Sequence, residues 1–356
     1  MLVVIGILFK ILVVVGITQG AVAYMILLER KVAAYAQDRI GPNRAGSEFG
    51  LPFGLLQPLA DGAKMILKED VIPGYVNKPL FILAPAISII AAMIGFAVIP
   101  FGPVGKSAPS GVNFQIAPGV DIGIVYVFAI GSLAVYGVIL GGWASNNKYS
   151  FLGGLRSSAQ LISYEIPLGM SILGMVLLSG SLDLNQIINY QDGHGLWLNN
   201  WLGLPAWGVF VQPIGCLLFV VSAFAETNRL PFDLPEAEQE LVGGYHTEYS
   251  AMKFGMFFLG EYLHVITVSY LTVVLFFGGW DAPFLSQDQL GWFTGLLKAL
   301  VMLAKVGLMI FFMMWVRWTL PRFRYDQLMD LAWKALIPLA LVNLVASAAF
   351  LQWLRG

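Results

Sequence analysis

The sequence is poor in the residues that build redox, metal and nucleotide sites. It contains one cysteine, Cys216, and three histidines, His194, His246 and His264. Iron–sulfur clusters and zinc sites need grouped cysteines and histidines, and no pair here has that spacing. No glycine-rich phosphate loop follows a strand, and no Ser–His–Asp arrangement can be assembled. We therefore expect no metal and no catalytic residue in this chain alone, so electrons for a redox reaction must come from another subunit.

Charged residues are also scarce. They make up 12% of the 356 residues, against about 25% in soluble domains, while 58% of the residues are hydrophobic. A formal net charge of −1 disfavours a nucleic-acid partner, because nucleic acids are bound by basic surfaces. Cys216 lies in an apolar run, and we expect it to be an inert packing residue. Such a chain has too few polar groups to cover a soluble surface, which places it in the lipid bilayer.

Eight apolar runs have the length that a helix needs to cross the bilayer core. They predict an all-α integral membrane protein with eight transmembrane helices, and residues 1–356 are interpreted as a single membrane domain. The odd-numbered loops are rich in lysine and arginine, and the even-numbered loops contain only Lys106. The positive-inside rule then places both termini on the periplasmic or intermembrane side. The predicted spans are residues 1–28, 81–100, 122–143, 158–179, 207–225, 254–277, 296–316 and 335–354.

The first cytoplasmic loop contains a different kind of helix, predicted over residues 54–68. Its polar residues Gln57, Asp61, Lys64 and Lys68 recur every three or four positions, and apolar residues fill the other side. This period predicts an amphipathic helix that lies on the membrane surface. A helix packed on a partner protein is the alternative, and both interpretations are compatible.

Several ionisable residues lie within the predicted spans, where each costs about 2.5–3.5 kcal/mol. Glu165 lies in the fourth span, Glu226 ends the fifth, and Lys305 is in the middle of the seventh. Glu261 and His264 are one helical turn apart in the sixth span and share a face. Carboxylates inside a bundle indicate ion or proton routes, whereas tethers that pair across helices are the structural alternative.

The predicted loop of residues 226–253 is unusually acidic for the cytoplasmic side. Clustered carboxylates near apolar surface raise one another's pKa, which predicts groups that load protons near neutral pH. A solvated acidic face is the alternative. Asp233 and Glu236 have capping-box spacing, so a short helix is expected to begin there and to end at Gly243 and Gly244. The acidic residues of the loop are Glu226, Asp233, Glu236, Glu238, Glu240 and Glu248.

The loop after the seventh span interleaves arginines with aromatic residues. Arg317, Arg322 and Arg324 could bind anionic lipid, pair with the acidic loop or stack on a flat ligand. A simple positive-inside anchor is the remaining alternative.

Five segments of the chain together resemble one known family. The chain is similar to the H-type membrane subunits of the proton-pumping NADH:quinone oxidoreductases, known as respiratory complex I. One such segment is moderately specific, and five in register along the chain are very specific. The segments are residues 29–44, 57–64, 163–165, 226–250 and 321–329.

The resemblance implies a role at a quinone chamber, which in this family is formed together with the soluble subunits. It implies that quinone is the substrate, that this chain alone binds no cofactor, and that Fe–S clusters, FMN and NAD(H) are held by partner subunits. The residues expected at the chamber or its entry are Glu29, Arg30, Arg39, Asp61, Arg317, Arg322 and Arg324. The residues expected in a coupling path for protons are Glu165, Glu226, Asp233, Glu236, Glu238, Glu240, Glu248, Glu261 and His264.

The expected partners are the soluble quinone-module subunits, the antiporter-like membrane subunits and the lipid bilayer. The expected location is the bacterial inner membrane, or the mitochondrial inner membrane or thylakoid for an organellar protein. A plastid-type ferredoxin-dependent complex or a membrane-bound hydrogenase would share this architecture. From a different class, an ion channel or antiporter fits the intramembrane charges but needs neither the surface helix nor the large cytoplasmic loops.

Overall fold

The computed structural model describes residues 2–47, 50, 52–103, 115–193, 207–233, 241–281 and 292–355, and these residues form helices and connecting segments without a strand. The helices are α1 (Leu2–Ala36), α2 (Gln57–Leu67), α3 (Lys78–Ile94), α4 (Gly123–Ala144), α5 (Lys148–Ser179), α6 (Leu184–Gly193), α7 (Gly208–Val211), α8 (Pro213–Glu226), α9 (Ala251–Phe276), α10 (Trp292–Thr319), α11 (Tyr325–Asp330) and α12 (Ile337–Arg355).

Seven helical segments in the described part of the chain are long and apolar enough to cross a membrane. They comprise α1, α3, α4, α5, α9, α10 and the continuous helical stretch that joins α11 to α12. The all-α class is confirmed. The apolar helix α8 has only 14 residues, so it is about 21 Å long and falls short of the bilayer core, which is about 30 Å thick. The count of eight spans and the side on which the termini lie therefore stay predictions.

Within the predicted fifth span, residues 207–225, the helix is interrupted. The backbone leaves helical geometry at Gln212, which has φ −132° and ψ 64°, and this separates α7 from α8. Pro213 follows at once, and proline lacks the N–H that a continuing helix would need. Gln212 is buried, and its Nε2 donates to Ser347 Oγ of α12 at 2.7 Å. The mean hydropathy of the run does not register this break.

Other helices extend beyond the predicted spans, because hydropathy detects only the apolar part of a helix. Helix α1 continues to Ala36, and α5 begins at Lys148 rather than at residue 158. The Asn147 side chain caps α5 by accepting from the N–H of Tyr149. The last span is preceded by α11 and by the π-helical turn Leu331–Leu336, which bring the helix start well before residue 335.

The predicted amphipathic helix is present as α2, with Leu59, Ile66 and Leu67 exposed on one face. Residues 52–54, part of which the prediction included, form a separate turn. Gly54 in that turn has φ +71°, and a Cβ there would collide with the carbonyl oxygen of Pro42, so the turn requires glycine. The apolar face of α2 remains available to a membrane or a partner.

The short helix predicted from Asp233 lies mostly at residues 234–240, outside the described residues. At its predicted end, Gly243 and Gly244 have positive φ values of 142° and 66°, and the end of the helix itself stays a prediction. Positive φ values of this kind end helices.

Helix α9 is the centre of the bundle. Nearly every residue from Tyr262 to Phe276 is buried, and α9 contacts α1, α3 and α10 along its length. Its N-terminal half therefore reaches the ends of several helices at once. Glu261 and His264 lie in this half, so they sit inside the bundle rather than on its lipid-facing side.

Candidate functional site

A small cavity of about 60 Å³ lies between α3, α4, α5, α8 and α9. We call it the inner cavity and define it by four residues of its wall, Glu165, Glu226, Glu261 and His264. A water molecule needs about 10–15 Å³ of such space, so the inner cavity has room for a few waters. Glu165, Glu226 and the pair of Glu261 and His264, which the sequence placed on three helices, thus line one cavity.

Glu226 and His264 form a pair at the edge of the inner cavity. Glu226 Oε1 lies 3.2 Å from His264 Nε2, and both side chains are largely buried. The second oxygen, Glu226 Oε2, is buried without a hydrogen-bond partner among the described residues. A buried carboxylate oxygen of this kind is costly unless water or a proton satisfies it. Glu226 Oε2 therefore has room for a further hydrogen-bond partner, such as a water molecule in the inner cavity.

Glu165 reaches the same cavity from α5. Ser132 of α4 donates its hydroxyl to Glu165 Oε1. The third predicted span, which corresponds to α4, contains no acidic residue, so on the sequence alone a proton route would have to cross it by water or through another subunit. Ser132 supplies a hydroxyl there, but a lone serine in an apolar run gave no signal that could have identified it.

A second polar cluster lies at the end of α1. Glu29 is only 7% exposed, and each of its carboxylate oxygens is engaged. Arg317 of α10 donates to Oε1, and the Tyr262 hydroxyl donates to Oε2 at 2.5 Å. Arg229 approaches Oε2 with its Nη1 at 3.5 Å. The predicted chamber residues Glu29 and Arg317 are therefore held together on α1 and α10, with α9 between them.

Arg229 connects this cluster to the inner cavity. Its guanidinium lies 4.1 Å from the centre of the Tyr262 ring, and its Nε is 4.0 Å from Glu261 Oε1. Burial opposes the charge, but Glu261 and Glu29 outweigh it and raise the pKa of Arg229 above its ordinary value. By sequence alone, Arg229 is one of two counter-charges in an acidic loop, and its place between Glu29 and Glu261 depends on tertiary packing.

An open cleft of about 400 Å³ adjoins the Glu29 cluster, and we call it the outer cleft. It brings together four of the predicted chamber residues with the aromatic rings of Phe258, Tyr262 and Trp318. Asp61 on α2 pairs with Arg30 at 2.8 Å, which ties the surface helix to the cleft. The predicted residues that line the cleft are Glu29, Arg30, Arg39 and Arg317.

The other predicted arginines lie elsewhere in the described structure. Arg322 pairs with the buried Asp233 at 3.3 Å, so it holds the start of the acidic loop. Arg324 pairs with Asp326 at 3.0 Å on an exposed surface. Neither arginine is among the residues that line the outer cleft.

Glu248 is separated from the inner cavity and makes a clamp between loops. Tyr75 donates to Glu248 Oε2 at 2.8 Å, and Asn147 Nδ2 donates to Oε1 at 2.6 Å. The hydrogen bond to Glu248 is the main cause that raises the pKa of Tyr75. The remaining predicted acids, Glu236, Glu238 and Glu240, lie outside the described residues.

The side chain of Lys305 is hydrogen-bonded to backbone carbonyls near the end of α9. Its Nζ donates to the carbonyl oxygens of Phe277, Gly279 and Asp281 at 2.7, 3.1 and 2.5 Å. An ammonium group at the C-terminal end of α9 satisfies carbonyls that the helix leaves unpaired and interacts favourably with the helix dipole. All three donors of Lys305 are used, which favours the tether that the sequence left open.

Comparison with known proteins gives consistent matches along the chain. A sequence profile described as NADH dehydrogenase matches residues 9–348. The chain is 47% identical over 327 residues to an H subunit of NADH-quinone oxidoreductase from Cytophaga hutchinsonii, covering 92% of this chain and 91% of the relative.

Two further relatives are similar over nearly the whole length. The H subunit of NADH-quinone oxidoreductase from Protochlamydia amoebophila is 49% identical over 330 residues, 93% of each chain. The protein of the same name from Thermomicrobium roseum is 48% identical over 341 residues, 96% of this chain and 94% of the relative. With this identity and coverage, the chain belongs to the NADH dehydrogenase family, in which these relatives are named as the H subunit of NADH-quinone oxidoreductase.

Proposed function

We propose that this chain forms the quinone chamber of an NADH:quinone oxidoreductase together with soluble subunits, and that it couples quinone reduction to proton translocation. The observation that carries the proposal is the short link from Glu29 through Arg229 to Glu261, which joins the outer cleft to the inner cavity. The names of the relatives support the overall activity. In a bacterium the complex would lie in the inner membrane.

The outer cleft suits the head group of a quinone. Its volume of about 400 Å³ falls within the range of roughly 300–1,000 Å³ that small-ligand sites occupy. Arg30, Arg39 and Arg317 offer donors for carbonyl oxygens and for the negative charge that develops on reduction. Phe258 and Trp318 supply apolar and aromatic surface for the ring and the first part of its tail.

The electrons have to come from a partner subunit. A single cysteine cannot hold an iron–sulfur cluster, which needs several thiolate ligands. Fe–S clusters, FMN and NAD(H) therefore belong to the soluble partners in this proposal, and the chain contributes the membrane half of the chamber. Reduction of one quinone to a quinol consumes two electrons and two protons.

The inner cavity is the place where charge in the cleft would change proton occupancy. Glu165, Glu226 and Glu261 lie around a space that has room for a few waters, and His264 pairs with Glu226. Clustered titratable groups exchange protons as a coupled set. Negative charge on the quinone would favour proton uptake by these acids, and its removal would favour release. The acidic loop, held at Asp233 by Arg322, would pass this change towards the antiporter-like subunits.

Photoaffinity labelling tests the chamber. The assembled complex is irradiated with a photoreactive quinone analogue, with and without excess plain quinone. We expect protectable labels at the end of α1 and around Phe258 and Tyr262 on α9. Labels that lie only on lipid-facing residues, or that excess quinone does not reduce, would refute a chamber at the outer cleft.

The coupling function needs a separate measurement. In reconstituted vesicles, we expect Glu165→Gln to lower both quinone reduction and proton uptake per enzyme. Asp330→Asn is the matched control, because Asp330 is an exposed acid that pairs with Lys334 on the surface. Proton transport that continues when no quinone is reduced would instead favour the channel or antiporter interpretation.

A further inference from the structure

We propose that Arg229 is a positioning residue that shifts between Glu29 and Glu261 and so transmits charge changes from the outer cleft to the inner cavity. The inference rests on the proposed function and assigns the element that couples its two sites. It concerns a residue whose sequence context indicates only a counter-charge.

The first observation is that Arg229 is placed between two acids without being hydrogen-bonded to either. Its Nη1 is 3.5 Å from Glu29 Oε2, and its Nε is 4.0 Å from Glu261 Oε1. Both distances exceed that of a normal N–H···O hydrogen bond. Coulomb attraction scales inversely with distance, so the two acids attract the guanidinium almost equally. A small displacement would convert one attraction into a hydrogen bond and weaken the other.

The second observation is that the guanidinium has unused donors. Arg229 is 6% exposed, and neither Nε nor Nη2 has a hydrogen-bond partner among the described residues. The ring of Tyr262 lies 4.1 Å from the guanidinium, and the Tyr262 side chain is also a hydrogen-bond partner of it, so Tyr262 anchors one part of the cation and leaves these two nitrogens free to turn. Movement of Nε and Nη2 therefore breaks no directed bond within the described structure. Arg317 also has a buried Nε without a partner among the described residues, but unlike Arg229 it donates directly to Glu29 through Nη1.

The third observation is that there is space for the movement. A hole of about 20 Å³ lies against Arg229, Glu29 and Tyr262, and its other walls include Met313 and Met314. Methionine side chains are flexible and repack easily around a moving neighbour. A close-packed interior without such a hole would resist a shift of the Arg229 side chain.

These features define two positions for one cation. In the arrangement observed, Glu29 is the nearer of the two acids to Arg229. If Arg317 turns towards a reduced quinone, it leaves its contact with Glu29. The attraction of Glu29 for Arg229, relative to that of Glu261, then changes. Arg229 then moves relative to Glu261, whose proton affinity depends on the nearness of that cation. A residue that both sites can bias is the two-state element that coupling requires.

A double-mutant cycle tests the coupling directly. Glu29→Gln, Glu261→Gln and the double variant are made with Arg229 intact and again with Arg229→Lys. Lysine keeps a positive charge for a purely structural ion pair, but it has one nitrogen and no planar fork to span two acids. The readout is kcat/KM for a short-chain quinone in the assembled complex. The amount of complex is normalised by NADH oxidation with a soluble dye.

With Arg229 intact, we expect Glu29→Gln to change kcat/KM by different factors in the parent complex and in the Glu261→Gln variant. The two effects should differ at least about fivefold, a coupling of about 1 kcal/mol. In the Arg229→Lys background the difference should fall below about twofold. Additive effects with Arg229 intact, or equal non-additivity in both backgrounds, would overturn the proposal. For any variant that does not turn over, the same cycle is measured on the Kd of the quinone.

Proton uptake per electron is measured in parallel, and it separates this inference from the proposed function. If Glu261→Gln leaves both pumping and quinone reduction unchanged, Glu261 is not on the coupling path and the proposed path fails at this residue. If pumping is lost while the cycle is additive, the path stands and only the role of Arg229 fails.

Discussion

Glu226 and His264 are paired across α8 and α9, with 3.2 Å between the carboxylate Oε1 and the imidazole Nε2. Glu226 is the last residue of α8, and His264 lies in the middle of the longer helix α9. The other carboxylate oxygen of Glu226 is buried and has no hydrogen-bond partner among the described residues. This makes Glu226 the acid of the inner cavity whose removal should be most informative.

Glu226→Gln should lower proton-coupled quinone reduction by roughly tenfold, or about 1.4 kcal/mol, because the amide cannot load a proton. The amide is nearly isosteric with the acid, so the complex should still assemble. Turnover and proton uptake are measured in reconstituted vesicles and normalised to assembled enzyme. Asp330→Asn, an acid-to-amide change on the exposed surface, should leave both rates unchanged. Wild-type pumping in Glu226→Gln would remove this acid from the path.

Gly153 and Gly169 form a matched pair on α5. A Cβ at Gly153 would lie 2.7 Å from Cα of Gly244, whereas nothing lies within 4 Å of a Cβ at Gly169. Gly153→Ala should therefore push α5 away from the loop around Gly244 and destabilise the fold by about 1–3 kcal/mol. Gly169→Ala should be neutral or slightly stabilising, because alanine favours the helix.

The measurement for this pair is the thermal stability and yield of the purified complex. A lower midpoint of unfolding for Gly153→Ala alone is the expected result. Equal behaviour of the two alanine variants would mean that the contact between α5 and Gly244 is loose.

Much of the fold could be predicted from hydropathy, because a lipid environment leaves few ways to satisfy the backbone. The long helices α4 and α9 begin and end within a few residues of their predicted bounds. The break at Gln212 could not be predicted in this way, since the run around it is apolar on both sides. A proline inside such a run is tolerated in many membrane helices, and its effect depends on neighbouring helices.

The sequence predicted those site residues that are ionisable and lie within a predicted span, where burial in the membrane is energetically costly. Glu165, Glu261 and His264 are conspicuous because ionisable groups are rare in spans, and the structure gathers them around one cavity. Arg229 gave no such signal, because a loop arginine beside several acids is ordinary. Its position between Glu29 and Glu261 depends on how α1, α9 and the loop pack, which a linear pattern does not contain.

The clamp between Tyr75 and Glu248 predicts a defined dependence on pH. The hydrogen bond to Glu248, with burial and charge repulsion, raises the pKa of the Tyr75 hydroxyl above its ordinary value near 10. A folded-state pKa that is raised stabilises the fold below the unfolded value, and this contribution is lost as pH rises through the folded value. The clamp should therefore be intact at neutral pH and weaken only in strongly alkaline solution.

The ionisation of Tyr75 is followed as the ultraviolet difference between the parent complex and its Tyr75→Phe variant during an alkaline titration. In Glu248→Gln, where the acceptor loses its charge, the midpoint of that difference should move to lower pH. Asp330→Asn should leave the midpoint where it is. An unchanged midpoint in Glu248→Gln would show that Glu248 does not set the ionisation of Tyr75.

A variant of Lys305 distinguishes a structural tether from an ion route in the seventh predicted span. Its three hydrogen bonds go to the carbonyls of Phe277, Gly279 and Asp281, and Lys305→Met would leave these acceptors unsatisfied. Each unsatisfied buried acceptor costs about 1–3 kcal/mol, so less complex should assemble. The enzyme that does assemble should translocate the same number of protons per electron, because the three partners of Lys305 are backbone carbonyl oxygens, which are too weakly basic to relay a proton.

Lys334→Met is the matched control for Lys305→Met, since Lys334 is exposed and pairs only with Asp330 among the described residues. The amount of assembled complex and the proton-to-electron ratio are measured separately for both variants. Normal assembly of Lys305→Met with a lower proton-to-electron ratio would assign Lys305 to the proton route. Reduced assembly with an unchanged ratio would show that Lys305 has a structural role only. It would then act as a cation that caps the end of α9 through packing and hydrogen bonds.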